Sequence, residues 1–194
     1  MLKIGITGGI GSGKTTVCRL FELLRIPVYY ADDESKKILN WDKAAKESVV
    51  KIFGDSIWNA DGSIDRKKLA GLVFNKKEEL EKLNAILHPA VGKHFDNWVK
   101  DQKAPYCIKE AAILFESGAY KQVDKVIAVV APLELKINRT IKRDGITKEE
   151  VLARIKNQMS DEEKVKKADF VIQNDELQLL IPQVLKLHRQ ILDK

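Results

Sequence analysis

Gly8-Gly9-Ile10-Gly11-Ser12-Gly13-Lys14-Thr15 decides the reading of this sequence, because it matches G-x-x-x-x-G-K-[ST] at every fixed position. Just before it, Leu2–Thr7 is a short apolar run of strand type. Just after it, Lys14–Arg25 carries Val17, Leu20, Phe21 and Leu24 at the spacing of one buried helix face. A strand, a glycine turn and a helix in that order are the setting a phosphate-binding loop requires. Glycines let backbone N–H groups turn inward around a β-phosphate, and the helix N-terminus adds its positive end. Lys14 reaches the β- and γ-phosphates, and the Thr15 hydroxyl is a ligand for Mg²⁺. The alternative is a glycine turn with no ligand, against which stands the full motif match between a strand and a helix. The expectation is a nucleoside triphosphate site.

Outward from the loop, Pro27 stops the helix and Val28–Tyr30 reads as a second strand. A charged stretch follows, roughly residues 34–103, with helical periodicity and almost no strand signal. Its helical segments are Glu34–Leu39, Ala44–Phe53, Arg66–Phe74 and Lys77–Asp101; Asp61-Gly62 makes a turn, and Pro89 is expected to break or kink the last helix. Strand-type runs return at Tyr106–Lys109, Lys125–Val130 and Phe170–Gln173. Helical patterns lie between and after them at Glu134–Arg143, Lys148–Met159, Asp161–Lys167 and Glu176–Leu192. Strands alternating with helices predict βαβ units: an α/β fold with a five-stranded, mostly parallel sheet and helices on both faces. The helical block at about 40–103 reads as an insertion between the second and third strands.

Composition agrees and excludes much. A chain of 194 residues with 44% apolar side chains suits one domain. Its longest apolar run, Val126–Ala131, falls far short of the ~20 residues of a membrane span. The net charge is 34 − 28 = +6, but the basic residues are dispersed and no RNA-reading motif accompanies them, so no nucleic-acid partner is expected. The two cysteines, Cys18 and Cys107, stand outside any CxxC or Cys/His cluster and read as small buried groups in a reduced compartment. Nothing at the N-terminus has the pattern of a signal peptide, and the expected location is cytoplasmic.

A GTPase switch needs Asn-Lys-x-Asp. The nearest stretch, Asn75-Lys76-Lys77-Glu78, has Glu for Asp and falls between helices. A motor ATPase needs more chain. A small phosphotransferase remains, which must bind an acceptor beside the γ-phosphate and exclude water. Asp32 closes Val28-Tyr29-Tyr30-Ala31-Asp32, at the strand edge where such sheets bind ligands. It is a candidate to take a hydroxyl proton or hold a metal-bound water, or else a helix N-cap. Glu110, after Tyr106–Lys109, is a second candidate for a metal shell. Arg139 and Arg143 stand four apart on one helix face, either over the transferring phosphoryl group or as a solvated basic face with Lys136 and Lys142. His88, His94 and His188 have no metal-ligand spacing. Trp41, Trp58 and Trp98 all fall in the insertion and read as anchors of a small helical core, with a ligand groove as the alternative.

Taken together, these residues resemble the dephospho-CoA kinases over nearly the whole chain. Gly5 through Thr16 is similar to the family's opening segment, and Ala31-Asp32 to its Asp-Ala-Asp element, with Tyr30 where the first Asp is usual. Gly62-Ser63-Ile64-Asp65-Arg66 with Leu69 and Val73-Phe74, Leu83 through His88-Pro89, and Leu114-Phe115-Glu116 are similar to further family patterns. Arg139, Arg143 and Gln158 fall where the family carries lid arginines and a downstream glutamine; Ala168-Asp169 through Asn174 resembles its last strand and adenine-side loop. The resemblance implies a three-layer P-loop kinase fold: a core of residues 1–39 and 104–194, a helical acceptor-binding insertion at about 40–103 and a lid at about 134–160. It implies ATP and dephospho-CoA as substrates, the ribose 3′-hydroxyl as acceptor, and Mg²⁺. Gly9, Gly11, Ser12, Gly13, Lys14, Thr15, Thr16 and Asn174 would hold ATP, Thr15 also the metal. Asp32, Arg66 and His88 would meet the acceptor, with Asp32, Lys14, Arg139 and Arg143 in catalysis. The competing readings are a kinase for another small metabolite and a module that binds ATP without transferring phosphate.

Overall fold

The structure, a computed structural model, describes residues 1–73 and 76–193. Phe74 of the Val73-Phe74 pattern and Asn75 of the Asn-Lys stretch lie outside the described residues. The strands are β1 (Leu2–Thr7), β2 (Val28–Tyr30), β3 (Tyr106–Glu110), β4 (Lys125–Val130) and β5 (Phe170–Gln173). The helices are α1 (Lys14–Leu23), α2 (Ala31–Trp41), α3 (Lys43–Phe53), α4 (Arg66–Val73), α5 (Lys77–Lys100), α6 (Leu133–Asp144), α7 (Lys148–Lys156), α8 (Asp161–Lys167) and α9 (Leu180–Leu192). The chain divides into two compact units, residues 1–30 with 101–194, and Ala31–Lys100.

The first unit holds the sheet, ordered β2-β3-β1-β4-β5 with every pairing parallel. Strand β1, first in the chain, is therefore central, and the glycine loop leaves from the middle of the sheet's carboxyl edge, where parallel sheets bind ligands. Alternation sends Ile4, Ile6, Ile108, Ile127, Val129 and Ile172 to one face. There they pack with Val17, Cys18 and Phe21 of α1 and Val184, Leu187 and Ile191 of α9. Each such side chain contributes about 1.5–3 kcal/mol when fully buried. The Tyr106 hydroxyl and His188 Nδ1, 2.7 Å apart, add a polar tie between β3 and α9. Across the sheet, a side chain at Gly5 would lie 2.6 Å from Leu114 Cδ2, so the glycine lets the segment after β3 settle on β1.

The second unit, α2 to α5, begins at Ala31, ahead of the boundary expected near residue 40. Leu39, Val49, Ile57, Ile64, Leu69, Val73, Leu83 and Leu87 form its core, with Trp58 packed against them. The Asp61-Gly62 turn brings Trp58 and Ile64 into an antiparallel bridge. Helix α5 is continuous through Pro89, so of the expected break or kink no break occurs: the ring's fixed φ suits a helix and removes one donor, while buried Leu83, Leu87 and Val91 hold the turns on either side. Trp41 is not a core anchor; it ends α2 56% exposed, its ring 5.3 Å from that of His94. In the first unit the last helix begins at Leu180 rather than Glu176. Glu176 has φ 66, and Asp175 Oδ1 takes the N–H groups of Leu177 and Gln178, closing a turn where a helix would start.

Candidate active site

The loop after β1 is shaped by what presses on it. A side chain at Gly8 would lie 2.2 Å from Val129 O, at the end of β4. Gly11 has φ 75, and a Cβ there would stand 2.3 Å from Lys136 O and 2.7 Å from Thr140 Oγ1, because α6 lies directly against it. Gly13, with φ 92, is the N-cap of α1; a Cβ there would meet Asn174 Nδ2 at 2.0 Å. Asn174, just past β5, donates from that nitrogen to Ser12 O at 2.8 Å. From the far side, Ile10 N–H donates to Gln158 Oε1 at 2.9 Å. Ser12 N–H closes the turn onto Gly9 O at 3.1 Å.

Within this frame Lys14 is buried, its Nζ donating to Gly8 O at 3.0 Å and lying 3.9 Å from Glu110 Oε1. Glu110 is the last residue of β3 and is 6% exposed, so the sheet delivers a carboxylate to the lysine. Ser12 Oγ is buried with no hydrogen-bond partner among the described residues. Thr15 and Thr16 are exposed in the first turn of α1. A cleft of about 390 Å³ is lined by Gly11, Gly13, Lys14, Thr15, Thr16, Arg19, Arg139 and Arg143. Four cations on one cleft suit a polyanion.

The two α6 arginines differ. Arg139 is tied down: Nη1 and Nη2 each donate to Asn174 O at 3.2 Å, and Nη2 reaches Glu176 Oε1 at 2.9 Å. Arg143 is 61% exposed and, among the described residues, pairs only locally, Nε to Asp144 Oδ1 at 2.7 Å. That hydrogen bond holds the Asp144 carboxyl below the usual carboxylate range and raises Arg143 in turn. Arg154 Nη1, on α7, shares the same carboxylate at 3.3 Å.

Asp32, Arg66 and His88 belong to the second unit. Asp32 is exposed and sits inside the first turn of α2, two residues past the end of β2, rather than at its N-cap. Arg66 Nη2 donates to Lys36 O at 2.9 Å, one turn along the helix that carries Asp32. His88 is half-buried on α5. Tyr30 stays a protonated phenol, its pKa raised by burial and, further, by the Glu22 and Glu110 carboxylates. Cys18, on α1, is pushed up by burial and by the Glu110 charge and is chemically quiet.

Residue spacing alone leaves several neighbours of the loop unmarked. Arg19 was not singled out, although its place four residues after Thr15 on the same helix face was a signal for it. Lys136 and Asp161, whose Nζ and Oδ2 lie 2.7 Å apart beside Gly9, had no such signal. Nor had Glu116 and the fully buried Lys164, paired at 3.3 Å. These pairs join helices and loops far apart in the chain, and no local pattern announces them.

Comparison with known proteins gives one answer. The dephospho-CoA kinase (CoaE) family model matches residues 2–178. A dephospho-CoA kinase of Bacteroides fragilis is 42% identical over 187 residues, 96% of this chain and 91% of that protein. Among solved structures, TT1252 from Thermus thermophilus superimposes with a TM-score of 0.83 at 33% identity, covering 99% of this chain and 96% of that one. The dephospho-CoA kinase from Campylobacter jejuni gives a TM-score of 0.69 at 31% identity, covering 97% of this chain and 96% of that one. With the parallel sheet, the loop and a match across nearly its whole length, the chain belongs to the dephospho-CoA kinase family.

Proposed function

We propose that this chain transfers the γ-phosphoryl group of ATP to the ribose 3′-hydroxyl of dephospho-CoA, releasing ADP and coenzyme A. The observation that carries the reading is the cleft in which Lys14, Thr15, Arg139 and Arg143 converge on the glycine loop. The backbone of Gly9 to Thr16 cradles the β-phosphate, and Asn174 keeps Ser12 and Gly13 in register from behind. Lys14 swings from Gly8 O to the β- and γ-phosphate oxygens, leaving a weaker partner for a charged one. Arg143, exposed and held among the described residues only by the adjacent Asp144, is the arginine able to follow the transferring group. Arg139 stays with Asn174 and keeps the nucleotide side of the cleft in shape.

In the transfer itself, the acceptor oxygen forms a bond to γ-phosphorus as the bond to the β–γ bridging oxygen breaks. The leaving pair stays on ADP. Asp32 orients the hydroxyl and takes its proton, which an exposed carboxylate at this strand end is suited to do. Arg66 and His88 meet the acceptor within the helical unit, read here as the acceptor-binding insertion, and residues 134–160 close as a lid to exclude water.

Magnesium fits the residues present. The Thr15 hydroxyl is exposed on the cleft, and the Glu110 carboxylate stands beside Lys14. Both are hard oxygen donors, and Mg²⁺ needs only one or two from the protein when phosphates and waters complete its shell. No group of three or more His, Cys, Asp and Glu able to hold a metal occurs among the described residues, consistent with that mode. Held by Thr15, with Glu110 close by, the ion would supply positive charge that offsets the negative charge developing during phosphoryl transfer.

No helix among the described residues is long and apolar enough to cross a membrane. We place the chain in the cytoplasm, where ATP is made and unpaired cysteines stay reduced. The deciding experiment is ADP formation from Mg-ATP with and without dephospho-CoA. Turnover that needs dephospho-CoA is expected, with a product phosphorylated at the 3′ position by ³¹P NMR. Equal turnover with other small hydroxyl acceptors, or nucleotide binding without transfer, would refute it.

A further inference from the structure

The loop's hydrogen bonds divide by direction. Ser12 N–H turns back on Gly9 O, within the loop, whereas Ile10 N–H leaves it sideways, to Gln158 Oε1 at 2.9 Å. Gln158 lies past the end of α7, in the short link to α8, and this link is pinned from both ends. Its own N–H donates to Ile155 O at 3.0 Å. Next to it, Met159 N–H donates to Glu116 Oε1 at 2.8 Å, and that carboxylate is anchored 3.3 Å from the fully buried Lys164. Two residues further on, Asp161 Oδ2 accepts from Lys136 Nζ at 2.7 Å, both side chains largely buried. The Gln158 amide therefore meets the loop from a fixed platform. Its Oε1, Asp161 Oδ1 and Lys136 Nζ all come within 3.6 Å of where a Cβ on Gly9 would stand, so the three side chains form one wall.

A loop this rich in glycine does not keep a single shape by itself, since glycine has the most conformational freedom to lose. We propose that Gln158 is a positioning residue for nucleotide binding: it fixes Ile10 from outside and holds the glycine loop in its phosphate-cradling shape, as part of a wall completed by the Lys136–Asp161 pair. The inference rests on the nucleotide-binding half of the function proposed above. The amide suits the task because it accepts a hydrogen bond without adding negative charge beside a site for a polyanion. The carboxylate in the same wall, Asp161, already has Lys136 as its counter-ion.

The test measures MgADP binding by calorimetry, melting temperature without nucleotide, and amide exchange at Ile10. Gln158→Ala should weaken MgADP about tenfold, the worth of one ordinary hydrogen bond. Its melting temperature should fall by no more than a few degrees, which a purely structural role would exceed. Gln158→Glu keeps an acceptor but adds a charge. Its deficit relative to wild type should narrow as salt is raised, while the deficit of Gln158→Ala stays constant. In the wild type, the Ile10 amide should exchange slowly, and Gln158→Ala should release it. Wild-type MgADP affinity in Gln158→Ala overturns the proposal. So does fast Ile10 exchange in the wild-type protein, a measurement that needs no variant to fold. These readouts involve no acceptor, so a wild-type chain that binds MgADP but makes no coenzyme A would refute the substrate reading alone.

Discussion

Replacing Gly13 by alanine tests whether the loop's shape is set by its neighbours. Two costs can be read from the geometry. At φ 92 an L-residue is strained, by about 1–2 kcal/mol. The new Cβ would also stand 2.0 Å from Asn174 Nδ2. That nitrogen must swing away and give up its bond to Ser12 O, worth about 1 kcal/mol. The total, about 2–3 kcal/mol, corresponds to a 30- to 150-fold loss of nucleotide affinity if it falls on the cradling conformation. Asn174→Ala alone should cost only the hydrogen bond. In the double variant the alanine Cβ finds room, but the bond is gone already, so the double should match Gly13→Ala rather than add to it. Calorimetric MgADP titrations of the four proteins give the coupling directly. Strict additivity, or a Gly13→Ala affinity within about twofold of wild type, far below that range, would refute the reasoning. Gly11→Ala should be worse and beyond such relief, since its obstacle is the Lys136 carbonyl, part of the α6 backbone.

Further outcomes follow from the site. Asp32→Asn keeps size and hydrogen bonding but cannot take a proton; kcat should fall by about 10²–10⁴ with MgADP affinity unchanged, and a loss under threefold would return Asp32 to a helix-end role. Arg143→Ala should cut kcat at little cost in melting temperature, because its side chain is exposed and, among the described residues, pairs with the adjacent Asp144 alone. Arg139→Ala should instead lower nucleotide affinity and stability together, since it removes the bonds to Asn174 O and Glu176; identical profiles for the two variants would refute this division. Burial pushes the Cys107 thiol up to about 11 and raises Cys18 as well. Both stay protonated at pH 8, so thiol labelling should be slow in the native protein and track unfolding as denaturant is added, and rapid native labelling would contradict it.

The sheet was legible because its strands are short apolar runs set off by charged helices, and β4 and β5 have the bounds their residues predict. Helix ends were less so. Glu176 fits a helical pattern, yet its left-handed backbone and the Asp175 turn delay α9 to Leu180, a choice made by hydrogen bonds that periodicity does not carry. At Pro89 the break that a proline can cause is absent, because a buried apolar stripe outweighs one missing donor. The glycine loop announced its chemistry, but the reason for each glycine lies elsewhere in the chain. Gly8 yields to β4, Gly11 to α6 and Gly13 to Asn174. A motif eight residues long therefore records contacts made by residues 129 to 174. The spacing of the glycines is set by phosphate geometry and by the elements packed behind them together, and the second cause is invisible without the fold. It follows that nucleotide affinity should respond to changes at Asn174, Thr140 or Gln158, which need touch no phosphate, as surely as to changes in the glycines themselves.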